Sequence, residues 1–136
     1  MRFTPYLNFD GQCKEAFTFY QQVFGGTLLA MQTHGDSPIA GEVPSEWHER
    51  VLHACLLVGD SMVMASDSPP GSHEPVRGLY ISVHIDDPAE AERVFEALAE
   101  KGTVTMPMEK TFWAERFGML TDRYGTPWMI NGGSAS

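Results

Sequence analysis

The sequence points to an α+β fold made of two βαβββ modules, each with a curved mixed sheet that encloses a cavity. The chain repeats itself: a shift of 76 positions lays Leu7-Asn8-Phe9-Asp10 on Val83-His84-Ile85-Asp86, Phe19 on Phe95, and Gly26-Thr27 on Gly102-Thr103. Within each copy the same order recurs, from alternating strand through acidic turn, helix-period stripe and glycine stop to further strands. A duplicated strand–helix–strand unit pairs with its copy, and the sheet surface so enclosed is a natural place for a ligand.

The first strand covers residues 3–9, with Phe3, Pro5, Leu7 and Phe9 on one face and Thr4, Tyr6 and Asn8 on the other. Asp10 supplies a cap oxygen for a helix over 11–24, whose stripe is Ala16, Phe17, Tyr20, Val23 and Phe24. Gly25-Gly26 ends it, and a second strand covers 27–33. Residues 34–50 are rich in Gly, Pro, Ser and Glu and lack any period, which suits either a lid or a solvated insertion. A hairpin follows over 51–58 and 61–66, turning at Gly59-Asp60.

The first module is therefore 1–67, a Pro/Gly/Ser linker covers 68–78, and the second module is 79–131, all within one domain, 1–136. The second module opens with a strand over 79–85. Its helix carries Asp86-Asp87 at the cap, Pro88 in the first turn, and Ala91, Val94, Phe95 and Leu98 as the apolar stripe. Gly102 stops it; strands cover 103–106, 112–122 and 127–131, and 132–136 read as a frayed end.

Composition narrows the function classes. Apolar residues make up 43% and charged residues 20%, as in an ordinary globular domain. The sequence shows neither a membrane span nor a signal peptide, so a cytoplasmic location is expected. A net charge of −9 argues against nucleic acid and against anionic membranes as partners. Cys13 and Cys55 lack the spacing of a metal knuckle or redox pair and read as reduced structural thiols.

Several segments carry a family resemblance. They are Pro5-Tyr6-Leu7-Asn8-Phe9, Ala16-Phe17-Thr18-Phe19-Tyr20 with Val23-Phe24-Gly25-Gly26, His53-Ala54, Met64-Ala65-Ser66-Asp67, and the run from Phe117 to Trp128. Together they make the chain similar to the vicinal oxygen chelate superfamily, which includes glyoxalase I, extradiol dioxygenases and fosfomycin- and bleomycin-resistance proteins. The nearer resemblance is to its PhnB-like branch, sometimes labelled 3-demethylubiquinone 3-methyltransferase-like. The resemblance implies the glyoxalase/bleomycin-resistance-like fold and a homodimer.

Metal-using members of that superfamily hold one divalent ion with His or Glu from four strands. Carried over by strand register, those positions fall on Thr4, Ala65, Tyr80 and Met129, none of them a His or a carboxylate. No metal and no other cofactor is therefore expected. A displaced site using His84 with Asp67 is the alternative, and would make the chain a divalent-metal-dependent lyase, isomerase or dioxygenase.

Alternation nominates a cavity lining of Thr4, Tyr6, Asn8, Tyr80, Ser82 and His84, with Ala54, Leu56, Val63, Ala65 and Asp67 from the hairpin. If Leu120 pairs with Met129, then Arg116, Gly118 and Leu120 also face in, while Trp113, Phe117, Met119 and Trp128 face away. His53 is expected to point away too. Arg116 requires an anion, either Asp67 or Glu115 or an anionic ligand. No serine or cysteine sits in the setting of an activated nucleophile, and no glycine-rich strand-to-helix turn is present to hold a nucleotide-bearing methyl donor. The expected function is metal-free binding of a small anionic or polar-aromatic molecule, with Tyr6, Asn8, Asp67, Tyr80, Ser82 and Arg116 as candidate contacts.

Overall fold

A computed structural model describes residues 1–134 of the chain. Positions 135 and 136, the tip of the expected frayed end, lie outside the described residues. The chain divides into two compact units, Met1–Glu74 and a second one beginning at Pro75.

The first unit runs β1 (Tyr6–Phe9), α1 (Cys13–Phe24), β2 (Thr27–Thr33), β3 (Val51–Val58) and β4 (Ser61–Asp67). The second runs β5 (Ile81–Ile85), α2 (Pro88–Ala99), β6 (Thr103–Glu109), β7 (Arg116–Thr121) and β8 (Pro127–Gly132). Each unit forms a four-stranded mixed sheet, ordered β1-β4-β3-β2 in one and β5-β8-β7-β6 in the other. In both, the opening strand pairs parallel with the last strand and the remaining pairs are antiparallel. The two-module α+β fold is thus present, strand for strand.

Element edges differ from expectation for local reasons. The first strand is shorter than the expected 3–9, although the Pro5 carbonyl already accepts a bond from Met64 N. The first strand of the second unit likewise starts at Ile81 rather than 79. The 103–106 strand extends to Glu109, whereas the 112–122 strand begins only at Arg116. The connection between them folds on itself, with Thr111 N and Ala114 O hydrogen bonded at 3.0 Å. Residues 34–50 are braced internally: Ala40–Glu42 and Ser45–Trp47 are 3-10 turns, and His48 Nε2 donates to the Ala40 carbonyl at 2.8 Å.

Both helices cover one face of their sheet with the expected stripe. In α1, Ala16, Phe17, Tyr20 and Val23 are buried, and in α2 so are Ala91, Val94, Phe95 and Leu98. Gly25 ends α1 in the left-handed conformation with φ 74°. The repeated Gly26 and Gly102 serve a different purpose: a Cβ there would lie 2.4 Å from the Leu57 carbonyl and 2.5 Å from the Thr121 carbonyl. The duplicated glycine is a matched close approach of two backbones in each unit.

The N-terminus of α1 corrects the capping expectation. Asp10 does not cap it; that carboxylate pairs with Arg50 at 3.1 Å. The groups near the helix start are met instead by Asp67, at the end of β4. Its Oδ1 accepts from Gly11 N at 2.9 Å and Cys13 N at 3.0 Å, and its Oδ2 accepts from Val51 N at 2.8 Å. A buried carboxylate with three backbone donors is well compensated, and the helix start adds its own favourable dipole. In the second unit the register places Gly132 where Asp67 stands, since Ile85 pairs with Gly132 as Phe9 pairs with Asp67. A Cβ on Gly132 would fall 2.6 Å from the Ala91 Cβ, so α2 packs against bare backbone. Its cap is local: Asp87 accepts from Ala89 N at 3.0 Å, and Pro88 opens the helix.

Replacing Asp67 by Ala strands two buried N–H groups and one partly buried one. Urea denaturation should show a loss of about 2–4 kcal/mol. Asp10→Ala, which removes only an exposed pair, should lose less than about 1 kcal/mol.

Candidate functional site

The face of each sheet that its helix leaves uncovered carries the polar side chains. In the first unit, Phe9 meets Phe17 of α1 edge to face at 6.3 Å, which sets Phe9 and Leu7 toward the helix. Leu7 pairs with Ala65, and Ala65 with Ala54; all three are buried. Tyr6 and Asn8 therefore lie on the helix-free face with their partners Met64 and Ser66. Ser66 Oγ donates to Asn8 Oδ1 at 3.2 Å, and the Tyr6 ring stacks on His53 at 6.3 Å.

This arrangement corrects the expected lining of the first unit. Ala54, Leu56, Val63, Ala65 and Asp67 belong to the helix side, while His53 joins Tyr6 and Asn8. In the parallel pair Asn8 lies beside Ser66 and Leu7 beside Ala65, which puts Ala65 and Asp67 on the side of Leu7 and Phe9. Asp67 itself is turned to the three backbone donors described above.

The second unit shows a slip of register. Leu120 pairs with Trp128, and it is Met119 that pairs with Met129. A Cβ on Gly118 would lie 2.7 Å from Phe95 of α2, so Arg116, Gly118 and Leu120 face the helix and Phe117 and Met119 face away from it. The anion that Arg116 finds is neither Asp67 nor Glu115. It is Glu92 of α2, reached through both Nε and Nη2.

The helix-free face of the second unit holds Ser82 and His84 from β5, Met129 and Asn131 from β8, and Phe117 and Met119 from β7. Trp113, from the 110–115 connection, lies over it: its ring meets Phe117 at 5.1 Å and its Nε1 donates to Asn131 Oδ1 at 3.3 Å. Asn131 Nδ2 donates to Ser82 Oγ at 3.1 Å. Tyr80 directly precedes β5 and is exposed, and His84 faces Asp86 at 3.5 Å. Sequence reasoning missed Asn131 and set Trp113 and Phe117 on the wrong side. Asn131 lies two positions beyond Met129, and that spacing was the signal that placed it on this face. Trp128, expected beside Trp113, instead lies on the helix side and donates to Asp122 at 2.9 Å.

The donor set bears on the metal that the resemblance raises. Among the described residues, no three His, Cys, Asp or Glu side chains gather into a metal-holding group. Of the four positions carried over, Thr4 lies ahead of β1, Ala65 faces α1, Tyr80 precedes β5, and only Met129 stands on a helix-free face within a strand. Hydroxyls, amides and isolated imidazoles do not fit a borderline divalent ion that requires several anionic or imidazole donors. The thiols do not supply a nucleophile either. Burial, reinforced by the charge of Asp67, pushes the Cys13 thiol well above its ordinary range. Cys55 is buried, with its Sγ against Met62 Sδ at 3.5 Å.

This is the architecture of a duplicated-module fold whose sheets present polar and aromatic groups on one face. Comparison with known proteins agrees. The family model of the Glyoxalase/Bleomycin resistance protein/Dioxygenase superfamily matches residues 2–130, and the chain belongs to that superfamily. Protein YjdN of Escherichia coli is 32% identical over 139 residues, covering 96% of this chain and 95% of YjdN. The crystal structure of protein PA1353 from Pseudomonas aeruginosa is similar with a TM-score of 0.90 and 49% identity, covering 98% of each chain. A PhnB protein from Bacillus cereus shares the fold with a TM-score of 0.80 at 24% identity, covering 98% of this chain and 100% of its own.

Two outcomes follow from these placements. Arg116→Met removes a partly exposed pair, so its stability should fall by less than about 1 kcal/mol in urea denaturation. The raised Cys13 thiol means that folding holds its proton more tightly than the unfolded chain does. Its contribution is complete below the ordinary thiol pKa of about 8.5 and declines as pH rises beyond it. A plot of unfolding free energy against pH should slope downward there, and Cys13→Ala should flatten it.

Proposed function

We propose that this chain is a metal-free, PhnB-like protein that binds a small polar-aromatic molecule on the helix-free faces of its sheets. It acts as a cytoplasmic homodimer. The candidate contacts are Tyr6 and Asn8 on the face of the first unit and Tyr80 and Ser82 on the face of the second, each face being a site in its own right.

The observation that carries this reading is the chemistry of those faces. Each combines aromatic rings with an amide–hydroxyl pair, Asn8–Ser66 in one unit and Asn131–Ser82 in the other. Rings give apolar area and a stacking surface, and a few fixed polar groups give orientation, which is the usual division of labour in small-molecule sites. Between an anionic and a polar-aromatic ligand, the pairing of Arg116 with Glu92 on the helix side favours the second. The metal-dependent alternative loses support, because both oxygens of Asp67 already serve backbone donors.

Thermal melts of chelator-stripped protein test it directly. Addition of Ni, Co, Mn, Zn or Fe(II) should leave the midpoint in place. A small aromatic ligand at a hundred times its dissociation constant should add about 2.7 kcal/mol. For a chain of this size that is on the order of 10 °C. A large shift with one divalent ion and none with any aromatic compound would overturn the proposal.

A further inference from the structure

On the helix-free face of the second unit, three side chains form a hydrogen-bond relay whose direction is fixed by chemistry. The indole Nε1 of Trp113 has only a proton to give, so the Asn131 atom 3.3 Å away must be the carbonyl oxygen. That settles the orientation of the amide, which geometry alone often leaves ambiguous. Asn131 Nδ2 is thereby turned inward, and it donates to Ser82 Oγ at 3.1 Å and to the Val83 carbonyl at 3.4 Å. Both amide protons are engaged. Ser82 Oγ has accepted a bond, and its own proton has no acceptor among the described residues.

Beside that hydroxyl stands an aromatic ledge. The Trp113 ring is held edge-on by Phe117 at 5.1 Å and meets Phe112 at 4.8 Å. Phe112 is 90% exposed and Trp113 is 48% exposed, although burying such rings is strongly favourable. The ledge and the hydroxyl belong to one network, because the same indole that offers its face also begins the relay.

We infer that Trp113, Asn131 and Ser82 form a binding subsite for a planar aromatic compound bearing a carbonyl oxygen. The ring lies against Trp113 and Phe112, and the carbonyl oxygen accepts the directed proton of Ser82. This deepens the small-molecule reading above and rests on it. Asn131 is a positioning residue here, since it acts through Ser82.

The relay makes a demand that packing alone does not. In Asn131→Asp the shape is kept, but the atom facing Ser82 becomes an acceptor. The hydroxyl must then reverse and donate inward, and the face offers an acceptor where it offered a donor. The probes are acetophenone, which presents a carbonyl; aniline, which presents N–H donors; and toluene, which presents neither. Their binding is read from the Trp113 indole N–H resonance, one of three in this chain, assigned with Trp113→Phe.

In the unaltered protein, acetophenone should shift the Trp113 resonance and bind at least fivefold more tightly than toluene. Asn131→Asp should weaken acetophenone at least tenfold and strengthen aniline. Should that variant fail to fold, Ser82→Ala decides: acetophenone should fall to the affinity of toluene, with toluene unchanged. Equal binding of acetophenone and toluene, or no change in either variant, would overturn the inference. If acetophenone instead shifts Tyr6, Asn8 and His53 and leaves Trp113 alone, this subsite falls while the small-molecule reading stands. If no aromatic probe binds anywhere, both fall.

Discussion

The carboxylate of Asp67 is the constraint around which the first unit is arranged. It stands where the end of β4, the start of β3 and the beginning of α1 converge, and three backbone donors, one each from β3, α1 and the turn before α1, end on its two oxygens. Donors so close together in a buried place need a charged or strongly polar acceptor; an apolar side chain of the same size would leave them unsatisfied. Around it the chain adds secondary ties. Ser68 N returns to the Phe9 carbonyl at 2.7 Å, and Arg50 bridges Asp10 and the Ser68 carbonyl. The second unit meets the same packing problem with less chemistry, because Gly132 lets α2 settle on backbone. Its own buried carboxylate, Asp122, serves a turn instead, accepting from Tyr124 N, Thr126 N and the indole of Trp128.

That division leaves one face of each sheet uncovered by its helix. The helix sides are filled by aliphatic and aromatic side chains and by the pairs and caps just described. The opposite sides carry hydroxyls, amides, imidazoles and exposed rings beside a few buried apolar groups such as Cys55 and Phe117. A side chain held at both ends by neighbours, as Asn131 is held by Trp113 and Ser82, loses little further freedom when a ligand arrives. Rigid strands thus present a small set of oriented polar atoms beside apolar surface, the arrangement on which specific recognition of small molecules depends.

The architecture was legible in the sequence because its signals are local. Alternation, the Pro88 and Asp87 start of α2, the glycine stop of α1 and the 76-residue repeat each report on a short stretch. The faces were not legible in the same way, because they depend on register between strands far apart in the chain. Leu120 was set beside Met129, one residue from its partner Trp128, and that slip turned the strand over; in the first unit, alternation within the hairpin did not say which of its faces Tyr6 and Asn8 share. Arg116 was consequently aimed at the wrong side, and Asp67 passed for a ligand contact. Tyr6, Asn8 and Ser82 kept their face because the opening strands fixed it through their own alternation. Trp113 was harder still, since it reaches its position from an irregular connection in which no period applies.

The unlike starts of the two helices also bear on how the chain acquires its structure. Asp87 lies beside the turn it caps, so α2 has its first turn secured by neighbours in sequence alone. Cys13 N is met by a residue 54 positions away, so the protein acceptor at the start of α1 depends on the docking of β4. Closing that span carries an entropic cost that a local cap avoids. Two copies of one topology therefore differ in what completes their helices, a neighbour in sequence for α2 and a distant strand end for α1.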